Sequence, residues 1–171
     1  MSHRAVIALG SNVGDSIATV QGAVDALATT PDLRIVAVSS LYRTAPVGGP
    51  EQGDFINAVL LAETALGPLE LLARCQSIEA AFHRVREVRW GPRTLDIDVI
   101  DFDGVVDADP VLSLPHPRAA ERAFVCVPWS EIDPDAVVPG RGRLADLLDV
   151  LDRSGVHRIS SVVLTLPGGA S

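Results

Sequence analysis

The sequence predicts an α+β fold, because strands and helices are mixed along it without the regular βαβ alternation of a parallel sheet. A second observation is Asp101-Phe102-Asp103-Gly104, which follows a central strand and predicts a hairpin turn into Val105-Val106. Hairpins join antiparallel strands, so an antiparallel arrangement is expected around this central strand.

The first elements follow from apolar runs and capping residues. Arg4 to Leu9 predicts a buried strand that ends at Gly10-Ser11-Asn12. Gly14-Asp15-Ser16 supplies N-cap chemistry for a helix to about Thr29. The apolar stripe of this helix is formed by Val20, Val24 and Leu27.

The middle of the chain predicts two strands around a long loop. Leu33 to Tyr42 is rich in β-branched residues, and Phe55 to Ala62 forms the next strand. The Gly- and Pro-rich stretch from 43 to 54 has the length of a functional lid. A helix begins near Leu66-Gly67-Pro68, with a buried stripe of Leu71, Cys75, Ile78 and Phe82.

The last third contains shorter elements. Ala123 to Trp129 is apolar, residues 134–142 predict a loop, and Leu144 to Leu151 predicts a helix. Ile159 to Leu166 predicts an edge strand before a frayed end. We therefore expect one domain over residues 1–171, a length that allows a core without disulfides or metals.

Composition narrows the function. The formal net charge is −8, which argues against a nucleic-acid partner. All 14 basic residues are arginine, which excludes a Walker-type lysine and a Schiff base. Cys75 and Cys126 have no zinc-site spacing, so buried reduced thiols are expected. No segment has the length of a membrane span, and we expect a cytoplasmic protein.

Functional side chains are most concentrated between Arg84 and Asp98. Four arginines, a tryptophan and two aspartates occur in this stretch. Gly91-Pro92 breaks helical continuity, so its first half predicts a basic loop, mobile without ligand, and not a regular helix. From Leu95 onward, apolar and acidic residues alternate, which places Asp96 and Asp98 on one face of a strand.

The two aspartates predict a site for a cation. Their backbones are about 6–7 Å apart for a rise of about 3.3 Å per residue, and like charges this close favour a cation between them. Mg²⁺ binds carboxylates together with substrate phosphates, and arginine matches phosphate oxygens. The alternative is a solvated strand face beside a basic loop.

Phe55 and Asn57 share one face of the predicted strand 55–62. An aromatic ring and an amide on one face suit a flat heterocycle, which needs stacking and a paired donor–acceptor edge. The alternative is that Phe55 belongs to the core and Asn57 is a satisfied polar residue.

These motifs together resemble a known family. The segment Arg84-Val85-Arg86 and the run from Arg89 to Asp98 resemble the central motif of the 6-hydroxymethyl-7,8-dihydropterin pyrophosphokinases of folate biosynthesis. The resemblance covers about residues 4 to 150, and it implies a ferredoxin-like three-layer α/β/α sandwich with an antiparallel central sheet. Shorter similar pieces are Gly10-Ser11-Asn12, Tyr42-Arg43-Thr44, Phe55-Ile56-Asn57, Leu114-Pro115-His116 and Arg122-Ala123-Phe124.

The resemblance implies transfer of pyrophosphate from ATP to the hydroxymethyl group of the dihydropterin, with release of AMP. Asp96 and Asp98 would hold two Mg²⁺ ions and, with Arg84 and Arg93, would be catalytic. The residues that the resemblance places on the nucleotide are Gln76, Arg86, Arg89, Trp90, Arg93, His116 and Arg122. Those that it places on the pterin are Asn12, Thr44, Ala45, Val47, Phe55, Asn57, Trp90 and Phe124.

Two other functions remain open at this point: a ferredoxin-like module that binds nucleotide without turnover, and a different Mg²⁺-dependent nucleotide transferase. The expected partners are ATP and 6-hydroxymethyl-7,8-dihydropterin, with no nucleic acid or membrane, and we expect a monomer. Asp98 is a candidate for the general base. Departures from the family pattern at His83, Glu87, Val111 and Pro117 leave individual nucleotide contacts open.

Overall fold

The computed structural model describes residues 2–12, 16–44, 55–86 and 94–166, with the backbone alone for Asn12, residues 83–86 and Thr94. A short 3-10 helix lies at Ala119–Glu121. The strands are β1 (His3–Asn12), β2 (Leu33–Val38), β3 (Leu41–Thr44), β4 (Phe55–Thr64), β5 (Thr94–Phe102), β6 (Asp107–Ala108), β7 (Ser113–Leu114), β8 (Val137–Val138), β9 (Gly142–Arg143) and β10 (Val156–Ile159). The helices are α1 (Ser16–Ala28), α2 (Pro68–Arg86), α3 (Ala123–Ile132) and α4 (Leu144–Val150).

Six strands form the central sheet, in the order β10-β3-β4-β1-β5, with β2 also paired to β4. All of these pairings are antiparallel. β1 pairs with β4 along its whole length, from His3 opposite Thr64 to Asn12 opposite Phe55. The sheet confirms the predicted antiparallel α+β architecture.

Two apolar cores lie on opposite faces of the sheet. Along β1, Ile7 and Leu9 join the core that contains α1 and α2, and Val6 and Ala8 join the core that contains α3 and α4. This is the two-residue period of a strand buried on both faces. The result is the three-layer α/β/α sandwich that the resemblance implied.

The predicted strand Leu33 to Tyr42 is divided into β2 and β3, which is a correction. Both strands pair with β4, but Ser39 and Ser40 between them belong to neither. Ser39 N–H donates to Val59 O, and Ser39 Oγ accepts from Val59 N–H, at 2.9 Å each. The serine hydroxyl replaces a backbone acceptor, so the chain bends here without losing the bond to β4.

The interpretation of Arg84 to Arg86 as loop is wrong, because α2 extends through Arg86. Proline restricts the backbone of the residue directly before it, so Pro92 does not prevent helix as far as Arg86. Residues 87–93, which contain the rest of the predicted loop, lie outside the described residues.

The predicted hairpin into Val105-Val106 is also wrong. A turn does occur, with Asp103 and Gly104 at positive φ, but the next strand, β6, pairs with β7 and not with β5. Asp103 Oδ1 accepts the backbone N–H of Arg4 at 2.7 Å, and Asp103 N–H donates to Arg4 O at 2.8 Å. The turn is therefore closed against β1, and Asp103 holds it there.

The C-terminal edge strand exists, but it lies earlier than predicted: β10 is Val156–Ile159, and residues 160–166 form no strand. The later segment crosses α1, where Gln21 donates through Nε2 to Thr165 O and accepts through Oε1 from Thr165 N–H. A side-chain amide thus takes the place of a neighbouring strand. Leu164 is buried in the α1–α2 core.

Cys75 and Cys126 are buried free thiols, as predicted. Burial, with a smaller contribution from the charges of Glu79 and Asp98, raises the pKa of Cys75 to about 12. Burial raises the pKa of Cys126 to about 11. None of the described helices is both long and apolar enough to cross a membrane.

Candidate active site

A cavity of about 730 Å³ lies on the face of the sheet that α3 covers. Strands β1, β3, β4, β5 and β10 contribute to it, together with the start of α3 and the turn that precedes β10. The described residues that line it are Ala8, Leu9, Gly10, Thr44, Phe55, Asn57, Asp96, Asp98, Arg118, Glu121, Arg122, Ala123, Phe124, Val125, Asp152, Ser154, Gly155 and Val156.

The register of the sheet aligns three of these residues in one row. Asn57 of β4 stands opposite Gly10 of β1, which stands opposite Asp96 of β5. A Cβ added at Gly10 would lie 2.8 Å from Asn57 Oδ1, too close for a side chain. The glycine therefore keeps open a trough about 10 Å wide, two strand spacings, between an amide and a carboxylate.

Asp96 and Asp98 lie on the cavity face of β5, Asp96 exposed and Asp98 half-buried, while the apolar residues between and beside them pack into the α1–α2 core. β5 lies at one edge of the described sheet, and Glu79 of α2 accepts the backbone N–H of Ile97 at 2.7 Å. This bond fixes the backbone between the two acids to α2, so the carboxylates are held on one face.

The carboxylate pair fits a hard divalent cation. Mg²⁺ prefers oxygen ligands and is usually bound by one or two carboxylates together with substrate phosphates. Within the described parts of the chain, no group of three or more His, Cys, Asp or Glu side chains is arranged to hold a metal ion. Two carboxylates with no third side chain of this kind among the described residues suit a cation that arrives with a polyphosphate.

His116 lies near enough to Asp98 for that charge to act on its pKa, but it is not among the described residues that line the cavity. Its backbone N–H donates to Ile100 O at 2.8 Å, and its Nδ1 accepts the backbone N–H of Arg118 at 3.2 Å, which leaves the ring proton on Nε2. Burial lowers its pKa; the charge of Asp98 opposes this, and those of Arg122 and Arg118 add to it. The ring is therefore a neutral N–H donor at neutral pH.

At β3 and β4 the cavity is lined by aromatic and uncharged polar side chains. Asn57 is 6% exposed, and its Nδ2 donates to Thr44 Oγ1 at 2.7 Å, which fixes the orientation of the amide. Phe55 and Phe124 line the same cavity, so Phe55 is not simply a core residue. The Arg122 guanidinium carbon lies 5.5 Å from the centroid of the Phe124 ring and links the aromatic part to the charged part.

The structure brings together only some of the residues expected in the site. The expected residues that line the cavity are Thr44, Phe55, Asn57, Asp96, Asp98, Arg122 and Phe124. Gln76 is exposed on α2 and is not among the described lining residues. The backbone alone is described for Asn12, Arg84 and Arg86, and the residues outside the described parts are Ala45, Val47, Arg89, Trp90 and Arg93.

Several cavity residues were missed from the sequence. Arg118 and Glu121 follow the Leu114-Pro115-His116 segment, and both line the cavity. Their spacing of three residues was the available sequence signal, because the 3-10 helix brings both side chains to the cavity. The spacer role of Gly10 appears only when the register is known. Nothing in the sequence pattern indicated the turn at residues 152–155.

The chain is similar to several known proteins. Residues 6–134 match the family model described as 7,8-dihydro-6-hydroxymethylpterin-pyrophosphokinase (HPPK). The 2-amino-4-hydroxy-6-hydroxymethyldihydropteridine pyrophosphokinase of Methylorubrum extorquens is 50% identical over 91% of this chain and 98% of its own. The Pseudomonas aeruginosa protein of the same name is 40% identical over 93% of this chain and 98% of its own.

Among solved structures, a Plasmodium falciparum HPPK-DHPS with pteroate has a TM-score of 0.74 and 14% sequence identity over 93% of this chain. This chain spans about half of that one, 47%, and at this identity the likeness shows the fold. The family model and the two bacterial relatives show the family as well as the fold. The chain belongs to the 7,8-dihydro-6-hydroxymethylpterin-pyrophosphokinase family.

Proposed function

We propose that the cavity divides the family's reaction between a phosphate half at β5 and an acceptor half at β3 and β4. That reaction is the transfer of pyrophosphate from ATP to 6-hydroxymethyl-7,8-dihydropterin in folate biosynthesis, and it is the reaction of this chain. The observation that carries the proposed division is the row Asn57–Gly10–Asp96, which sets an amide and a carboxylate at the two sides of one trough.

In the phosphate half, Asp96 and Asp98 would hold two Mg²⁺ ions with the triphosphate. Bound there, these ions neutralise phosphate charge that would repel the incoming hydroxyl. His116, as a neutral Nε2–H donor, and Arg122 bind phosphate oxygens. The remaining nucleotide contacts in this proposal are Gln76, Arg86, Arg89, Trp90 and Arg93, with Arg84 and Arg93 acting on transition-state charge.

In the acceptor half, Phe55 and Phe124 hold the flat ring. The Thr44 bond uses one N–H of Asn57, so the amide still has a second N–H and the Oδ1 that faces Gly10. These two groups suit the donor–acceptor edge of a pterin. The further contacts proposed on the pterin are Asn12, Thr44, Ala45, Val47 and Trp90.

With both substrates in place, the hydroxyl oxygen of the pterin forms a bond to the β-phosphorus of ATP as the bond from that phosphorus to the α–β bridging oxygen breaks, and AMP leaves. Displacements of this kind depend mainly on positioning and charge neutralisation. Asp98, at the phosphate end of the trough, is the candidate for accepting the hydroxyl proton.

The wider assignments belong to the same proposal. We propose one catalytic domain over residues 1–171, supported by a sheet that draws strands from residue 3 to residue 159. We also propose a monomeric cytoplasmic enzyme that binds small molecules and neither nucleic acid nor membrane, in keeping with the net charge of −8.

The test is an assay of ATP with a panel of hydroxylated acceptors that measures AMP and ADP separately. We expect AMP in amounts equal to the pterin diphosphate, and only with 6-hydroxymethyl-7,8-dihydropterin. ADP formation would indicate a phosphotransferase, and AMP with another acceptor would indicate a different diphosphotransferase. Nucleotide binding without either product would indicate a regulatory module.

A further inference from the structure

The turn before β10 lines the same cavity as the acceptor half, although it lies beyond residues 6–134, which match the family model. The connection runs through the sheet. Val156, at the start of β10, stands opposite Thr44 of β3, and Thr44 accepts the Asn57 hydrogen bond. The segment 152–156 therefore adjoins the amide that is proposed to contact the pterin.

The position of this turn in the sheet determines which end of a ligand it meets. β5, with Asp96 and Asp98, and β10 are at opposite edges of the order β10-β3-β4-β1-β5. Four strand spacings separate them, which is about 19 Å. An acceptor whose hydroxymethyl group faces the β5 acids therefore has its far edge toward β3 and β10.

Asp152 is the residue of this turn with chemistry for that edge. Ser154 donates to one carboxylate oxygen, Oδ1, through its backbone N–H at 3.0 Å and its hydroxyl at 2.7 Å. Among the described residues, none donates a hydrogen bond to the other oxygen, Oδ2. The two Ser154 bonds lower the pKa of Asp152, so the carboxylate is ionised at neutral pH.

We infer that Asp152 is a specificity-determining residue, whose Oδ2 accepts hydrogen bonds from N–H groups on the acceptor edge remote from the hydroxymethyl group. The dihydropterin carries an amino group and a ring N–H at that edge, and a carboxylate accepts both without offering a donor. The inference rests on the acceptor half proposed above. It predicts that this chain selects amino-substituted rings over rings with a carbonyl in the same place.

Asp152→Asn is the decisive variant, because it keeps Oδ1 as the acceptor for Ser154 and converts the second oxygen into an N–H donor. By calorimetry we expect about tenfold weaker binding of 6-hydroxymethyl-7,8-dihydropterin, from the loss of a charge-assisted bond at an exposed site, and unchanged binding of a non-hydrolysable ATP analogue. The matched control is Asp149→Asn, which removes an exposed acid of α4 and should bind both ligands like the parent.

A second ligand tests the donor–acceptor logic. For the analogue that has a 2-oxo in place of the 2-amino group, the parent should bind more weakly than it binds the pterin, and Asp152→Asn should narrow that difference. Pterin affinity within about twofold of the parent in Asp152→Asn, or an equal loss for the ATP analogue, would overturn the inference. Asn57→Ala distinguishes a failure of this inference from a failure of the proposed acceptor half. If Asn57→Ala also leaves pterin binding unchanged, the acceptor half itself is wrong.

Discussion

The two ends of the cavity differ in charge and in how their side chains are held. At β5, Asp96 and Asp98 are exposed or half-buried charges on an edge strand. At β4, Asn57 is buried and fixed by Thr44. Charged groups open to solvent suit an ionic ligand that arrives with its own cations, and a buried, oriented amide suits a neutral ring. One trough therefore combines two kinds of recognition.

The largest expected effect is at the charged end. Asp96→Ala or Asp98→Ala should lower turnover by about 100-fold or more, because each removes an oxygen ligand of the proposed cation site. The measurement is AMP formation at saturating ATP and pterin across a Mg²⁺ titration. Asp135→Ala, an exposed acid far along the chain from β5, is the control. Full turnover in either β5 variant would contradict the cation site.

A smaller effect is expected at the aromatic end. Phe124→Ala should weaken pterin binding by about tenfold, because aromatic stacking and its buried area are lost, while Phe124→Tyr should keep most of the affinity. The comparison is made by calorimetry on the two variants. Equal affinities of Phe124→Ala and the parent would mean that the ring does not stack on Phe124.

The spacer between the two ends gives a third prediction. Gly10→Ala should weaken pterin binding by about threefold to tenfold, because the new methyl group would displace the Asn57 amide from its present position. Gly67→Ala, where a Cβ would lie 3.4 Å from Glu70 Oε1, is the matched control. An ATP analogue should bind Gly10→Ala as it binds the parent. If pterin binds Gly10→Ala normally, Asn57 does not need its observed orientation.

The smallest effect concerns His116 and stability. The pKa of His116 in the folded protein is below the ordinary value of 6.5. As pH falls through 6.5, the unfolded chain therefore binds more protons at this residue than the folded protein does. This residue therefore lowers the free energy of unfolding in acid and has no such effect well above pH 6.5. We expect His116→Gln to be more stable relative to the parent at pH 5.5 than at pH 7.5, measured by urea unfolding. A constant difference would contradict a half-buried ring that is neutral in the folded protein.

The sequence predicted the fold class and the acidic strand because both depend on local periodicity. Alternation placed Asp96 and Asp98 on one face, and it placed Phe55 with Asn57 on the face that lines the cavity. Helix and strand boundaries were less accurate. Ser39 supplies a side-chain acceptor in place of a backbone carbonyl, and Gln21 supplies side-chain bonds in place of a neighbouring strand. Periodicity in the sequence does not indicate either replacement.

The parts of the site that could not be predicted depend on contacts between distant segments. The spacer role of Gly10 exists only when β4 and β5 flank β1 in this register. The turn at Asp152 reaches the cavity because β10 pairs with β3, although more than 100 residues separate Val156 from Thr44. The bond of Glu79 to Ile97 is likewise a product of helix packing on an edge strand.

The central claim is that one cavity has a phosphate half and an acceptor half with separate residues. Crossed calorimetry on Asn57→Ala and Asp98→Asn tests it directly, with pterin and a Mg²⁺–ATP analogue titrated separately into the free enzyme. Asn57→Ala should lose about tenfold to 100-fold in pterin affinity and keep its affinity for the analogue, because a ring group loses its partner. Asp98→Asn should weaken the analogue and leave pterin binding unchanged. Equal losses of both ligands in both variants would contradict the division.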